Sequence, residues 1–357
     1  MLAIKTIIDK TTEYLTIPSI VGHEGGFMHF LKMEFEKLGL RTEIYEGILA
    51  VHGNAPYSNI ACAHIDRHGL ISLGNNEFAY AAQYIKEIKY GEPNRSSRAE
   101  LHDIMSRFEG EHVFAYNSDT HEVVGEGCIE SCTPSAETGN SVFCVNGLDD
   151  IEIGTPVSYA REATLEDGKF KGQIDNVLSV ATLYALFQNG YQGSALLSCE
   201  EEIGKSWTHI AAYLKLFEIE TQSLLVLDTS PYSDPEPIDA GRVIFRNRDK
   251  SEYFNPALTA QLIERAASLG QLYQIKDEYL LSVGKREDQL GSTELGRLIQ
   301  NETHGNGARR WNGATIQIPT MMYHTSYETT SLKAIDNFYA FLENILIINP
   351  IVEEVGT

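Results

Sequence analysis

The side chains able to do chemistry fall into a few short stretches. Asn59 to His64 ends in a histidine, and Asp66 completes a His-x-Asp pair; Glu200, Glu201 and Glu202 stand in a row; Asp175, Asp228 and His324 lie apart. Imidazole nitrogen and carboxylate oxygen together suit zinc and related divalent ions, and a cysteine-free set rich in carboxylates points to hydrolytic rather than structural metal binding. A carboxylate can bridge two ions, and Asp175, within Gly172-Gln173-Ile174-Asp175-Asn176, is the candidate for that bridge. Of the adjacent Glu201 and Glu202, one can bind an ion while the other stays free as a base that takes a proton from water and passes it to a leaving amine. His64 is expected as a ligand with Asp66 as its orienting partner, because ligand histidines commonly hand their second nitrogen to a carboxylate.

Each of these signals also has a plainer explanation. Asp at a helix start is a favoured N-cap, successive glutamates make a solvated turn, and a lone histidine is often a satisfied core residue. Their placement on secondary structure decides. The apolar runs Asn59 to His64, Ser194 to Ser198, Ser223 to Leu227 and Ala314 to Ile318 read as strands. His64 and Asp66, then Glu200 to Glu202, then Asp228 and then His324 follow these four runs in turn, at the carboxyl ends where open α/β sheets hold their ligands.

The remaining elements supply the scaffold. Helices are predicted over 3–15, Gly26 to Leu38, Asn176 to Asn189, Ser206 to Phe217, Pro256 to Leu269, Ser292 to Gln300 and Ser331 to Ile347. Further strands are expected at Thr42 to Tyr45, Ile48 to His52 and Leu280 to Val283. This alternation implies an α/β fold with a largely parallel sheet flanked by helices. From His68 to Arg161 the texture changes to short strand-like pieces, His112 to Tyr116, His121 to Gly125 and Val142 to Val145, separated by turn residues. That is the texture of a small β-barrel or sandwich, so residues 1–67 and 162–357 are expected to form one domain split by a β-rich insertion over 68–161. The charged segment Glu92 to Phe108 fits neither pattern.

Composition bounds the partners. The chain has 357 residues, 43% of them hydrophobic, and carries a net charge of -22 from 50 acidic and 28 basic side chains. Such a charge repels both a phosphate backbone and an anionic membrane surface. No run approaches the roughly 20 apolar residues of a membrane span, and Lys5, Asp9, Lys10 and Glu13 break up any signal-peptide core. Five cysteines without Cys-x-x-Cys spacing argue against a disulfide framework. A cytoplasmic protein with reduced thiols, and without nucleic-acid or membrane partners, is the expectation.

The same residues in this order resemble the tetrahedral aminopeptidase family, which includes glutamyl and deblocking aminopeptidases with co-catalytic zinc. The matching stretches are Ala63-His64-Ile65-Asp66, Gly168 to Asn176, Glu201-Glu202-Ile203-Gly204, Val226-Leu227-Asp228, and Ile318-Pro319-Thr320 with His324 and Glu328. The resemblance implies a zinc-exopeptidase-like fold in which Asp175 bridges two ions. His64 and Asp228 would complete one site, Glu202 and His324 the other, and Glu201 would be the general acid/base. It further implies two divalent ions per subunit, zinc with cobalt or manganese as substitutes. The inserted domain would help build homo-oligomers, from dimers to dodecamers, that admit unfolded peptides. Two positions depart from the family pattern: Val177 stands where arginine is usual, and Gly291-Ser292-Thr293-Glu294 only loosely matches a Gly-Gly-Thr-Asp stretch near the substrate pocket.

Three functions are compatible with these residues. An aminopeptidase acting on N-terminal peptide bonds is the first. The second is a related amidohydrolase or deacylase acting on N-acyl amino acids or other small amides, since the same chemistry serves any carbonyl. The third is an inactive binding or assembly module, against which unused clustered carboxylates argue, because they repel one another without a cation.

Overall fold

Uninterrupted apolar runs such as Leu224 to Leu227 are stable in a strand only when both faces of the sheet are covered. The computed structural model, which describes residues 2–94, 96–135, 138–302 and 310–351, covers them in this way. Eight strands form the main sheet in the order Arg41–Tyr45, Ile48–His52, Ser194–Ser198, Ile60–His64, Thr221–Pro231, Trp311–Thr320, Val243–Phe245, Tyr273–Ile275. The four central strands, from Ser194–Ser198 to Trp311–Thr320, run parallel.

Alternate side chains of these strands point to opposite faces. Ala61, Ala63, Leu197, Leu225, Leu227 and Ile316 pack against the helices Leu2–Leu15, Gly25–Lys37, Val177–Gln188, Pro256–Ser268 and Leu332–Glu343. On the other face, Ile60, Cys62, Leu196, Leu224 and Val226 pack against Ser206–Leu216 and Glu294–Glu302. Helix Val177–Gln188 is buried along almost its whole length, so it fixes the loop before it, which carries Asp175. Among the described residues, no helix is long and apolar enough to cross a membrane.

Between Ile60–His64 and Ser194–Ser198 the chain forms a closed six-stranded barrel, in the order Leu70–Gly74, Glu77–Tyr80, Ser141–Asn146, Val123–Pro134, His112–Tyr116, Pro156–Tyr159. Closure removes the free edges that short strands would otherwise expose. The segment that fitted no pattern contains the helix Arg98–Phe108, started by a reciprocal capping box between Ser97 and Glu100. Its last residue, Phe108, is buried against the rings of Tyr80, Phe143 and Tyr159.

Two expectations need correction. Leu280 to Val283 is not a strand: Lys276–Ser282 is a helix and the strand is Tyr273–Ile275. A short apolar run does not distinguish the two states, and Asp277 and Glu278 in the first turn favour the helix. The strand expected to stop at Leu227 continues to Pro231, paired residue by residue with Trp311–Thr320, so Asp228 lies within a strand.

The parallel contact between Thr221–Pro231 and Trp311–Thr320 is close at one point. A Cβ on Gly313 would lie 1.9 Å from the carbonyl oxygen of Leu224. Gly313→Ala is therefore expected to cost about 1–3 kcal/mol through overpacking, measured as a lower thermal midpoint in a metal-free melt.

Candidate active site

The parallel register brings the carboxyl ends of the central strands level. Ser198 pairs with His64, and Asp228 pairs with Gln317. Beyond Ser198 the chain turns at Glu200, whose φ of 66° lies in the left-handed region. The backbone N–H groups of Glu201 and Glu202 then donate to the two oxygens of Asp66, at 3.0 and 2.9 Å. Asp66 also lies 3.5 Å from Nδ1 of His64, next to the imidazole it was expected to orient. Its hydrogen bonds, however, fix the turn that presents the two glutamates.

The distant residues converge. His64 Nε2 is 3.2 Å from Asp175 Oδ1 and 3.6 Å from Asp228 Oδ1. Asp175 Oδ2 is 3.7 Å from His324 Nε2, which is 3.4 Å from Glu202 Oε2. Asp175 thus turns one oxygen toward each histidine. It precedes the Asn176 cap of helix Val177–Gln188, so the N-cap explanation does not apply to it. Glu328 ties the two halves together, accepting the backbone N–H of Asp175 at 2.8 Å and that of His324 at 2.6 Å.

Two groups of donor atoms, each within 4.8 Å of one another, result: His64, Asp175 and Asp228, and His68, Glu202 and His324. Glu201 belongs to neither group. Buried polar atoms normally have hydrogen-bond partners, yet Asp175 Oδ1, Glu202 Oε1, His68 Nε2 and His324 Nε2 have none among the described residues. Orphaned oxygens and nitrogens brought this close together are what a pair of divalent cations would satisfy, and the donor types suit zinc-like ions. The residues fit such ions.

The electrostatics agree. Burial raises the carboxyls of Glu201 and Glu202 well above the ordinary range; Asp228 adds to this at Glu201 and Asp175 at Glu202, while His64 opposes it. Asp175 is raised by burial and by Asp228, against the nearby imidazole of His64. At His64 burial lowers the pKa, but the carboxylates of Asp175, Asp228 and Asp66 outweigh it and raise it well above normal. Burial, with Arg107 adding, holds His68 down to about 3. Burial lowers His324 as well, reinforced by His68 and Arg107.

Sequence reasoning missed three side chains here. His68 completes an alternating His64-x-Asp66-x-His68 pattern, and an extended chain puts such residues on one face; that spacing was the available signal. Arg107, on the barrel's helix Arg98–Phe108, places Nη1 3.2 Å from His324 Nδ1. A guanidinium only donates, so the His324 ring proton sits on Nε2; for Nε2 to act as a ligand, that proton has to leave and the Arg107 contact has to loosen. Tyr80, on a barrel strand, places its hydroxyl 2.7 Å from His68 Nδ1. Nothing near His64 or Glu201 in sequence signals either barrel residue. The two departures from the family pattern lie in the scaffold: Val177 is in the apolar core, and Glu294 accepts a bond from Ser198 Oγ at 2.7 Å.

No curated protein matches the sequence. The fold has solved counterparts. The TET aminopeptidase of a marine-sediment Thaumarchaeota archaeon has a TM-score of 0.71 at 15% identity, over 95% of this chain and 96% of that one. An aminopeptidase from the archaeon Desulfurococcus kamchatkensis has a TM-score of 0.70 at 13% identity, over 96% and 95%. The TET1 peptidase of Pyrococcus horikoshii, described as assembling into a tetrahedron or a large octahedral shell, has a TM-score of 0.68 at 16% identity, over 95% and 99%. At these identities superposition speaks for the fold alone. The family model for M42 glutamyl aminopeptidases matches residues 148–341, more than half of the chain, and on that match the chain is a peptide-hydrolysing enzyme belonging to the M42 glutamyl aminopeptidase family.

Proposed function

We propose that the protein is a metal-dependent aminopeptidase that removes N-terminal residues from peptides, with His64, Asp175, Asp228, Glu202 and His324 holding two divalent ions. The observation that carries this reading is Asp175, with one oxygen toward His64 and the other toward His324. When bound, such ions polarise a carbonyl oxygen and acidify water. Glu201, raised by burial, is suited to take a proton from the attacking water as its oxygen bonds to the carbonyl carbon. The same carboxyl returns the proton to the amine nitrogen as the C–N bond breaks. Asp66 holds Glu201 in position by accepting its backbone N–H.

Zinc is the proposed ion, with cobalt or manganese as substitutes, and the cytoplasm the proposed compartment, consistent with five free cysteines. A homo-oligomer is proposed because related peptidases are described as a dodecamer or as large shells. The insertion over 68–161 is proposed to take part in assembly and in substrate access.

Glu201→Gln is expected to lose about 10²- to 10⁴-fold in release of amino acids from unblocked peptides while binding as much metal as wild type. Undiminished release removes Glu201 from the mechanism, and release from N-acylated substrates in preference to free peptides assigns the site to a deacylase instead.

The raised carboxyls also set a pH dependence. A carboxyl whose folded pKa exceeds its unfolded value favours the folded state while protonated, and this contribution is lost as pH rises through the folded pKa. Protons on the ligand carboxylates Glu202 and Asp175 also compete with cations, so binding tightens as pH rises above the ordinary carboxylate range. The increase in thermal midpoint on adding Zn²⁺ is therefore expected to be larger at pH 8 than at pH 6, measured by calorimetric melts; a shift equal at both contradicts the coupling.

A further inference from the structure

One buried imidazole at the centre of the site has no role in this scheme. His68 stands four residues beyond His64, on the extended segment leaving the strand Ile60–His64. Its Nε2 comes within 2.7 Å of Glu202 Oε2, yet that nitrogen has no hydrogen-bond partner among the described residues, and neither has Glu202 Oε1 or His324 Nε2. A 2.7 Å approach without hydrogen-bond geometry is that of lone pairs converging on one point, not of a donor meeting its acceptor.

The rest of the ring is held in place. Nδ1 lies 2.7 Å from the Tyr80 hydroxyl, and with the ring proton given to that oxygen, Nε2 presents its lone pair to Glu202 and His324. An outer partner that fixes a tautomer in this way is the usual companion of a ligand histidine. Gln173, two residues before Asp175, donates from Nε2 to the His68 carbonyl at 2.7 Å. The rings of His68 and His324 lie 3.9 Å apart, centre to centre.

We propose that His68 is a ligand of the cation held by Glu202 and His324, with Tyr80 as its orienting partner; this rests on the two-cation reading. The two sites then differ in kind. With Asp175 shared between them, His64 and Asp228 offer one nitrogen and a second carboxylate, whereas His68, Glu202 and His324 offer two nitrogens and a second carboxylate. The nitrogen-rich set prefers zinc or cobalt to magnesium, calcium or manganese. Apart from the shared Asp175, it is the two-histidine, one-carboxylate combination found in catalytic zinc sites.

The test titrates metal-stripped wild type, His68→Gln and Tyr80→Phe with Zn²⁺ and Co²⁺. Stoichiometry and affinity are read by calorimetry against a chelator, and the ligand field from cobalt visible absorption. Tyr80→Phe keeps the ring packed on Phe108 and removes only the hydroxyl. Wild type is expected to bind two ions. In His68→Gln one ion keeps its affinity, while the other weakens by about 100-fold with an altered cobalt spectrum; in Tyr80→Phe the same ion weakens by about tenfold. Wild-type affinities and spectrum in His68→Gln overturn the proposal and leave the two-cation reading standing, whereas a wild type that binds no ion sinks that reading itself. If circular dichroism finds His68→Gln unfolded, Tyr80→Phe decides: selective weakening of one ion supports the proposal and unchanged binding overturns it.

Discussion

A carboxylate taken out of water must be met by hydrogen bonds, protons or cations, and this requirement governs the carboxyl edge of the central sheet. Some of the buried acids there are satisfied by backbone. Asp66 accepts two amides from the glutamate turn, and Glu328 accepts one from Asp175 and one from His324. Others are not: Asp175 and Glu202 keep oxygens without hydrogen-bond partners among the described residues. The fold spends its rigid elements on holding these charges together against their repulsion. A helix buried almost throughout follows Asp175, and level strand ends present His64 and the glutamate turn.

Much of this was legible in the chain. Apolar runs identified the four central strands, because a strand covered on both faces has few polar positions to blur it. Histidine and carboxylates just past those runs then marked one edge of the sheet, and the structure brings His64, Asp175, Glu202, Asp228 and His324 together there. The register of Thr221–Pro231 was less legible. Its last residues, Asp228 to Pro231, are polar or proline, yet pairing with Trp311–Thr320 carries the strand through them. Tertiary pairing there overrides local preference.

The insertion was the least legible part, for a physical reason. Its strands are short, and their apolar residues face a small closed interior, so alternation is weak and interrupted by turns. The helix Arg98–Phe108 is amphipathic with few buried positions; its cap was readable at Ser97 and Glu100, but not its destination. Contacts between residues as distant in sequence as Arg107 and His324 leave no periodic trace in either segment.

The contact between Arg107 and His324 has a consequence of its own. While the guanidinium donates to Nδ1, the imidazole keeps its proton on the nitrogen that faces the carboxylates, and the two arrangements exclude each other. Through Arg107, a helix belonging to the barrel thus decides which nitrogen of His324 carries the ring proton, so the inserted domain acts on the chemistry of the sheet edge as well as adjoining it. A barrel grafted from elsewhere would need a guanidinium and a phenol at the same two places before the graft could be silent.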